Sequence, residues 1–418
     1  MAVKDPDKTH SHKASAEEVT KELARESSKI SIIRLVDALV TSAFEDRASD
    51  IHIDPEENDI KARFRVDGVL QDKFVFPKEL QSEIITRIKI LSGLRTDEHQ
   101  AAQDGRFKIV VAGHDGLDIR VSIAPTYYGE NCVMRLLAER SQGLTLESLG
   151  YSKINLERVN RAMTRPYGMI LATGPTGSGK TTSLYAILKK LNTRDVSIIT
   201  IEDPIEYSIE GIDQIQVNSR TGLTFAQGLR FILRQDPNII MVGEIRDDET
   251  ASIAVNAAMT GHLVLSTLHT NDAATTLPRL LDMGVEPFLI ASTVNIAIGQ
   301  RLVRTICSDC RAERELTPVE LQNLKSMVPE NLLKQKNDFS VGVGCKKCDM
   351  SGFRGRIGIH EVIEITDEIR QLIMKRATSA EVKAAAIKGG MVPMLQDGIE
   401  KAMAGITTIE EVLRVFHE

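Results

Sequence analysis

A glycine-rich segment near the middle of the chain carries the residue types best suited to phosphate chemistry. Gly174 to Thr181 reads GPTGSGKT and fits the pattern G-x-x-x-x-G-K-[ST]. Glycines let backbone N–H groups surround a phosphate, and a helix that follows adds the positive end of its dipole. Lys180 would reach the β- and γ-phosphates, and the Thr181 hydroxyl would hold Mg²⁺. The predicted nucleotide-binding residues are Gly174, Pro175, Thr176, Gly177, Ser178, Gly179, Lys180, Thr181 and Thr182.

The residues on either side of this segment have the character that a phosphate loop needs. Residues 169–173 form a short apolar run of β-forming type, and residues 182–191 place Leu184, Ile187 and Leu188 on one side of a helix. A chance glycine-rich turn is the alternative, but it would lack these flanks. Strand, loop and helix in this order predict a nucleoside triphosphatase core.

Two further apolar segments end in carboxylates. Residues 198–206 read IITIEDPIE and place Glu202 where it could hold Mg²⁺ or orient a water molecule. Residues 239–247 read IIMVGEIRD, which follows the logic of a Walker B strand and makes Glu244 a candidate to polarise the attacking water. A charged turn and a solvated strand end are the alternatives. The sequence leaves open which glutamate is the base.

Residues 260–270, TGHLVLSTLHT, bring two histidines to the ends of another apolar run. Neither has the spacing of a metal ligand pair such as H-E-x-x-H, so a second metal site is not expected. A lone histidine here is more often structural, but His269 at the strand end could instead sense the γ-phosphate.

Composition argues against two classes of protein. The 418 residues carry a net charge of −6, with 4% aromatic residues and no Trp, whereas nucleic-acid binders are usually basic and offer aromatic stacking surfaces. No apolar run approaches the ~20 residues that cross a bilayer, and the N-terminus lacks an apolar signal core. We therefore expect a cytoplasmic protein without a transmembrane segment that reaches membranes only through partners.

Two C-x-x-C pairs in the last third of the chain predict a metal site. Cys307 and Cys310 form the first pair, and Cys345 and Cys348 form the second, with 34 residues between the pairs. Four thiolates at such spacing can share one tetrahedral Zn²⁺ and close a polar loop. Disulfides are the alternative, which a cytoplasmic location disfavours. Cys132 stands alone in a predicted strand and should simply be buried.

Hydrophobic patterning predicts two kinds of domain. Residues 30–137 combine amphipathic helices with short alternating strands and a hairpin turn at Asp67-Gly68, which predicts an α+β domain. From about residue 155, strands and helices alternate as in a parallel sheet with crossover helices. The predicted strands there are 169–173, 197–201, 239–242 and 262–268, and the predicted helices are 182–191, 224–234, 248–259 and 273–283.

Taken in order, these segments resemble the type II secretion and type IV pilus assembly ATPases, the GspE/PilB group of the secretion ATPase superfamily. The similarity is carried by GPTGSGKTT, ITIEDPIE, MVGEIRD and TGHLVLSTLHTNDA. It extends upstream through SDIHID and RFRVDGVL, and downstream through EPFLIAS, QRLVRTIC and GFRGRIGIHE, so that it covers nearly everything from about residue 30 to the end.

The resemblance implies an α/β fold in which a RecA-like P-loop ATPase domain is preceded by a smaller α+β domain and followed by a zinc-binding, helical C-terminal region. It implies a homo-hexamer, and we expect the chain to lack the further N-terminal docking domain that family members usually carry. The predicted domains are a flexible leader (1–28, with a helix from Ala16), an N2-type α+β domain (29–140), a linker (141–154), the ATPase domain (155–303), a tetracysteine zinc module (304–358) and a C-terminal helical region (359–418).

The family also implies arginines in the nucleotide site. The matching positions are Arg120 and Arg135 in the smaller domain, and Arg230 and Arg234 in the ATPase domain. A guanidinium fork stabilises the charge that spreads over a transferring phosphoryl group. For each arginine taken alone, a surface charge or a local salt bridge is the alternative. The tetracysteine module is likewise shared by this group and absent from the pilus retraction ATPases, which favours zinc over disulfides.

The leading hypothesis is a motor that hydrolyses ATP in a hexamer and drives an inner-membrane platform to assemble pilin-like subunits. It would be cytoplasmic and peripherally associated with the inner membrane through the platform proteins. One alternative is a nucleic-acid-stimulated RecA-like ATPase, which the acidic charge and the few aromatics disfavour. Another is a scaffold that binds ATP without turnover, which the presence of Lys180, Glu202 and Glu244 disfavours.

Overall fold

The computed structural model describes residues 11–25, 29–111, 114–137, 143, 145–318, 322 and 338–417. The rest of the predicted leader, linker and zinc module lies outside these residues. The chain divides into two compact units, Met1–Gln142 and Gly143–Glu418.

The first unit contains a six-stranded antiparallel sheet in the order β3-β2-β1-β6-β5-β4. One face of the sheet is apolar: Ile51, Phe64 and Ile119 are fully buried, while their neighbours in sequence are polar. This alternation is why the region forms half-buried strands. The strands are β1 Ala48–Pro55, β2 Asp59–Val66, β3 Val69–Pro77, β4 Gln103–Val111, β5 His114–Thr126 and β6 Gly129–Leu137.

Three helices belong to the first unit: α1 Ser11–Leu23, α2 Ile32–Glu45 and α3 Gln81–Leu91. Their apolar sides join the apolar face of the sheet in one core, to which α1 contributes the fully buried Val19. Part of the predicted flexible leader is thus an ordered helix, and it begins at Ser11 rather than Ala16. The sequence predicted the helix but not its first turn, because its apolar contacts, Val19 and the partly buried Leu23, both lie after Ala16.

The second unit is built on a seven-stranded sheet in the order β15-β12-β7-β11-β10-β8-β9. Strands β12, β7, β11, β10, β8 and β9 run parallel to one another, and β15 runs antiparallel to β12. A separate hairpin pairs β13 with β14. The bounds are β7 Gly168–Thr173, β8 Ile198–Glu202, β9 Asp213–Gln216, β10 Ile239–Val242, β11 Leu263–Leu268, β12 Val294–Ile306, β13 Arg311–Glu315, β14 Asp338–Gly342 and β15 Phe353–Glu364.

Helices cover both faces of this sheet, so the second unit has three layers. Successive residues of β7 show it: Met169 and Leu171 belong to the core under α6 to α11, whereas Ile170 and Ala172 belong to the core under α4 and α5. The helices are α4 Lys153–Met163, α5 Lys180–Leu191, α6 Phe225–Ile232, α7 Asp248–Met259, α8 Thr276–Asp282, α9 Pro287–Thr293, α10 Asp367–Met374, α11 Ser379–Lys388, α12 Met394–Met403 and α13 Ile409–His417.

The predicted strands and helices of the α/β region are present with small shifts at their ends. Helix α6 begins at Phe225 because the Thr224 side chain accepts a hydrogen bond from the Gln227 N–H and caps it. Helix α8 begins at Thr276 and not at residue 273, because the Asp272 carboxylate binds the Thr275 N–H and hydroxyl in a turn.

Two long strands on the other side of β7 were not predicted. β12 and β15 lie in a stretch that pattern reading assigned to the end of the ATPase domain, the cysteine module and a helical tail. They form part of the main sheet, and a third core packs α12 and α13 on them through Val303, Ile359, Met394 and Val412. Among the described residues, no helix is both long and apolar enough to span a membrane.

Candidate functional site

The phosphate loop lies between β7, which ends at Thr173, and α5, which begins at Lys180. Gly174 and Gly179 have φ angles of 145° and 85°, which side chains other than hydrogen rarely tolerate. A Cβ at Gly174 would also lie 2.3 Å from the carbonyl oxygen of Gln300. The loop therefore needs glycine at these positions both for its backbone angles and for space.

The Lys180 side chain folds into the loop. Its Nζ donates hydrogen bonds to the carbonyl oxygens of Gly174 at 2.7 Å and Pro175 at 3.1 Å, and only 8% of the residue is exposed. Burial lowers the pKa of Lys180, and the nearby negative charge of Glu244 opposes that shift. An ammonium group in a glycine-rich loop, within electrostatic reach of a carboxylate, is suited to bind phosphate oxygens.

Glu244 follows β10 and is held from two sides. One carboxylate oxygen lies 3.0 Å from Nε2 of His269, and the other lies 2.7 Å from a terminal guanidinium nitrogen of Arg246. Glu244 is buried, whereas the side chains of His269 and Arg246 are exposed. The structure thus brings the predicted Glu244 and His269 together, close to the Lys180 charge, and adds Arg246. Arg246 was not predicted as a site residue, although its position two residues after Glu244 could have indicated it.

Glu202 sits at the end of β8 inside a closed hydrogen-bond network. One oxygen accepts from the Tyr185 hydroxyl, and the other accepts from Thr200 Oγ1 at 2.6 Å and from Gln214 Nε2 at 3.1 Å. Burial and the Glu202 charge both raise the pKa of Tyr185, so its hydroxyl remains a donor. Tyr185 and Gln214 were missed because they come from α5 and β9, which the sequence does not place beside β8.

The two histidines of the 260–270 segment have different roles. His262 precedes β11, and its Nδ1 donates to the carbonyl oxygen of Ala257 at the end of α7, which is a structural contact. His269 follows β11 and contacts Glu244. The segment after it is fixed to the end of β7, because Thr173 Oγ1 donates to the Thr270 carbonyl at 2.9 Å and accepts from its N–H at 3.0 Å.

The predicted arginines of the ATPase domain lie on or next to α6. Arg230 donates to Glu249 of α7 at 2.6 Å. Arg234 donates to the Arg230 carbonyl at 3.0 Å and stacks its guanidinium 4.7 Å over the ring of Phe231. These contacts hold the two side chains against α6 and α7, and none of them involves the phosphate loop.

The predicted arginines of the first unit belong to a row of four arginines and one aspartate across its sheet. The row runs Arg106, Arg120, Arg135, Asp50 and Arg65, each directly opposite the next on neighbouring strands. Asp50 accepts from Arg135 Nε at 3.0 Å and lies 3.5 Å from Arg65 Nε. Like charges placed opposite each other on neighbouring strands repel, so a bound anion would reduce the repulsion between Arg106, Arg120 and Arg135. We name these five residues the arginine row.

The four cysteines meet in one cluster. All four sulfur atoms lie within 4.8 Å of one another, and three sulfur–sulfur distances are 3.7 to 3.8 Å. An ion about 2.3 Å from each of four tetrahedral sulfurs would place them about 3.8 Å apart, whereas a disulfide needs about 2.05 Å. Burial works to raise the pKa of Cys348, but N–H donors from Cys345 and Gly352 hold it down at about 7. The cluster therefore fits zinc, and the disulfide alternative does not fit.

Comparison with known proteins gives consistent results. A family model described as type II/IV secretion system protein matches residues 25–414. The type II secretion system protein E of Pectobacterium carotovorum subsp. carotovorum is 49% identical over 388 residues, which cover 93% of this chain and 76% of that protein. The type IV pilus assembly ATPase PilB of Myxococcus xanthus is 45% identical over 392 residues, which cover 94% and 69%.

Among solved structures, the Legionella pneumophila ATPase DotB superposes with a TM-score of 0.68 at 22% identity, covering 94% of this chain and 98% of that chain. This likeness confirms the predicted α/β fold. None of these descriptions supports the nucleic-acid-stimulated alternative. Because the family model spans most of the chain and both relatives cover it almost fully, the predicted resemblance is confirmed: the chain belongs to the type II/IV secretion system protein family and is an ATPase of its GspE/PilB group.

Proposed function

We propose that the chain is a hexameric motor ATPase that powers assembly of pilin-like subunits in type IV pilus biogenesis or type II secretion. The names of its relatives, type II secretion system protein E and type IV pilus assembly ATPase, support both machines equally. The proposed partners are further copies of this chain and inner-membrane platform proteins. The proposed location is the cytoplasmic side of the inner membrane, held there by those partners.

The observation that carries the proposal is the position of Glu244. Its buried carboxylate follows β10 at the carboxyl edge of the sheet, is oriented by His269 and Arg246, and interacts with the charge of Lys180. We assign Glu244 to polarise the attacking water and accept its proton. Lys180 and the backbone N–H groups from Thr176 to Thr182 would hold the β- and γ-phosphates, and His269 would respond to the γ-phosphate through its contact with Glu244.

Two residues are proposed to support Mg²⁺, Thr181 as a direct ligand and Glu202 through an intervening water molecule. Bound Mg²⁺ would neutralise charge on the β- and γ-phosphates. The half-buried Thr181 hydroxyl, at the start of α5, fits as a direct ligand. Both oxygens of Glu202 are occupied by Tyr185, Thr200 and Gln214, so the donor set fits direct ligation poorly. We therefore propose that Glu202 supports Mg²⁺ through its negative charge, with water between.

Replacing Glu244 by glutamine tests this assignment. Gln cannot accept a proton, so ATP should still bind while turnover falls by ~10²–10⁴-fold, the range for a lost general base. Turnover is measured by phosphate release, and affinity by equilibrium binding of ATP. Glu157→Gln is the matched control, because Glu157 is an exposed glutamate on α4 with no role in the proposed site, and it should stay near the parental rate.

Glu202→Gln gives the contrasting result in the same assays. Losing the negative charge should raise the Mg²⁺ concentration needed for half-maximal ATP binding, which Glu244→Gln should leave unchanged. If Glu202→Gln bound ATP normally at low Mg²⁺ yet failed to hydrolyse it, while Glu244→Gln remained active, the two roles would be exchanged.

We further propose that arginines bind the phosphates of ATP during the hydrolysis cycle. The arginine row supports this for Arg120 and Arg135, because it concentrates positive charge on one face of the first unit. Arg230 and Arg234 are proposed as nucleotide-site residues on family resemblance alone. Their present contacts with Glu249 and Phe231 would have to be exchanged for the nucleotide.

We propose that the four-cysteine cluster holds a structural Zn²⁺. It would be bound by Cys307, Cys310, Cys345 and Cys348, whose sulfurs have the spacing of a tetrahedral site. The cluster joins the end of β12 to the start of β15, since the Cys307 N–H donates to the Gly352 carbonyl. Zinc would therefore hold the β13–β14 hairpin at this end of the sheet.

Removing the zinc should have a local effect. Cys345→Ser, or a chelator, is expected to reduce zinc from about one equivalent per chain and to expose the amides of β13 and β14 to hydrogen exchange, while ATP still binds. Zinc is measured by elemental analysis. Cys132→Ala is the control, because Cys132 is buried in the other unit and should leave the zinc content unchanged. Parental protein with less than about half an equivalent of zinc would contradict the site.

A further inference from the structure

Gln300 lies directly beside the phosphate loop, although it is far from that loop in sequence. Strand β12 runs parallel to β7 with Gly299 opposite Thr173, the last residue of β7. β12 then continues to Ile306, so Gln300 comes next to Gly174 where β7 has already ended. Gln300 is 1% exposed.

The side-chain amide of Gln300 forms hydrogen bonds with the loop and with the helix that follows it. Its Nε2 donates to the carbonyl oxygen of Ser178 at 2.8 Å, and its Oε1 accepts from the hydroxyl of Ser183, in the first turn of α5, at 2.7 Å. Because the Ser178 carbonyl can only accept, the orientation of the amide is fixed. The fit is also close: a Cβ on Gly179 would lie 2.8 Å from Nε2.

This hydrogen bond orients a second group. In a trans peptide, the C=O and the following N–H point in opposite directions. Holding the Ser178 carbonyl toward Gln300 therefore turns the Gly179 N–H away from β12. That N–H begins the helix N-terminus of α5, where unpaired N–H groups bind anions. Without the amide, the Ser178–Gly179 peptide would lose the partner that fixes its plane.

We infer that Gln300 is a positioning residue for ATP binding: its amide fixes the Ser178–Gly179 peptide so that the Gly179 N–H is presented to a phosphate group. Gln300 does not itself contact the nucleotide. The inference rests on the proposed function of the phosphate loop. It predicts that the loop needs an N–H or O–H donor at this position, and that an apolar or purely accepting side chain of similar size will weaken binding.

Gln300→Glu tests the requirement for a donor. At pH 8 a carboxylate would face the Ser178 carbonyl, and the affinity for the fluorescent analogue mant-ATP should fall about 10- to 100-fold relative to the parent. A buried carboxyl has a raised pKa, so lowering the pH toward 5.5 would protonate it and restore an O–H donor. The loss should therefore shrink as the pH falls. Burial lowers the pKa of His360, opposite Gln300 on β15, well below its usual value, which favours its neutral form.

Gln300→Met is the matched variant, since it has similar volume and no donor at any pH. Its affinity loss, relative to the parent at each pH, should be constant. Gln300→Met, which buries no charge, should keep the parental melting temperature within a few degrees. Equal losses for the two variants at every pH, or parental affinity in Gln300→Met, would overturn the inference.

Lys180→Ala, measured alongside, separates this inference from the proposed function. Weak mant-ATP binding by Lys180→Ala with parental binding by both Gln300 variants would overturn the role of Gln300 alone. Parental mant-ATP binding by Lys180→Ala would instead overturn the assignment of the phosphate loop.

Discussion

Replacing Lys180 by alanine should reduce ATP hydrolysis below detection and weaken ATP binding by about 10²-fold. The change removes a buried point charge and its charge-assisted hydrogen bonds to the phosphates, each worth about 1.5–3 kcal/mol. It also leaves Glu244 without the neighbouring positive charge that now interacts with it. ATP affinity is measured by calorimetry, and turnover is measured by phosphate release.

Lys190→Ala is the matched control for this experiment. Lys190 lies on the same helix, α5, but is exposed and donates to Asn160 at 2.9 Å. Its replacement should leave affinity and turnover at the parental level. A Lys180→Ala protein that hydrolysed ATP at close to the parental rate would show that residues 174–181 are not the phosphate loop.

Replacing Arg120 or Arg135 by alanine should lower turnover by about 10³–10⁵-fold, with a much smaller loss of ATP affinity. Guanidinium groups act mainly on the charge that develops on the transferring phosphoryl group, and this range is typical of an arginine in that role. If ATP draws these arginines in and ADP releases them, the difference in contacts could convert hydrolysis into motion.

Arg63→Ala is the control for the arginines. Arg63 lies on the same face of the same sheet but is already paired with Asp54, through Nε at 2.9 Å and a terminal nitrogen at 2.8 Å. Its loss should leave turnover nearly unchanged. Arg120→Ala and Arg135→Ala proteins that fold, assemble and hydrolyse ATP like the parent would refute the proposed arginine roles.

The parts of the site that could be predicted are those encoded by neighbouring residues. The loop from Gly174 to Thr181 combines a fixed spacing with flanks that have strand and helix periodicity, and both are read within about twenty residues. Glu244 follows four apolar residues, so its place at a strand end could be predicted in the same way. For both segments, the residues that predict the structure are neighbours in the sequence.

The parts that could not be predicted depend on strand order and register. The arginine row exists only because its five residues fall opposite one another across five strands, and sequence periodicity does not specify register. Gln300 is similar, because no local pattern indicates that β12 pairs with β7. Both arrangements become visible only when the pairing of the strands in the folded protein is known.

The pairing of β12 with β7 also determines the stage of synthesis at which the chain becomes able to bind ATP tightly. Ser178 and Gln300 are hydrogen-bonded across 122 residues of sequence, and β15, which flanks β12, is later still. On the ribosome, residues 174–181 therefore emerge well before the strand that supports them. Contacts so distant in sequence form late in folding. A nascent chain that ends before β12 would contain the whole glycine-rich segment but would bind ATP weakly. The incomplete chain would therefore hydrolyse little ATP.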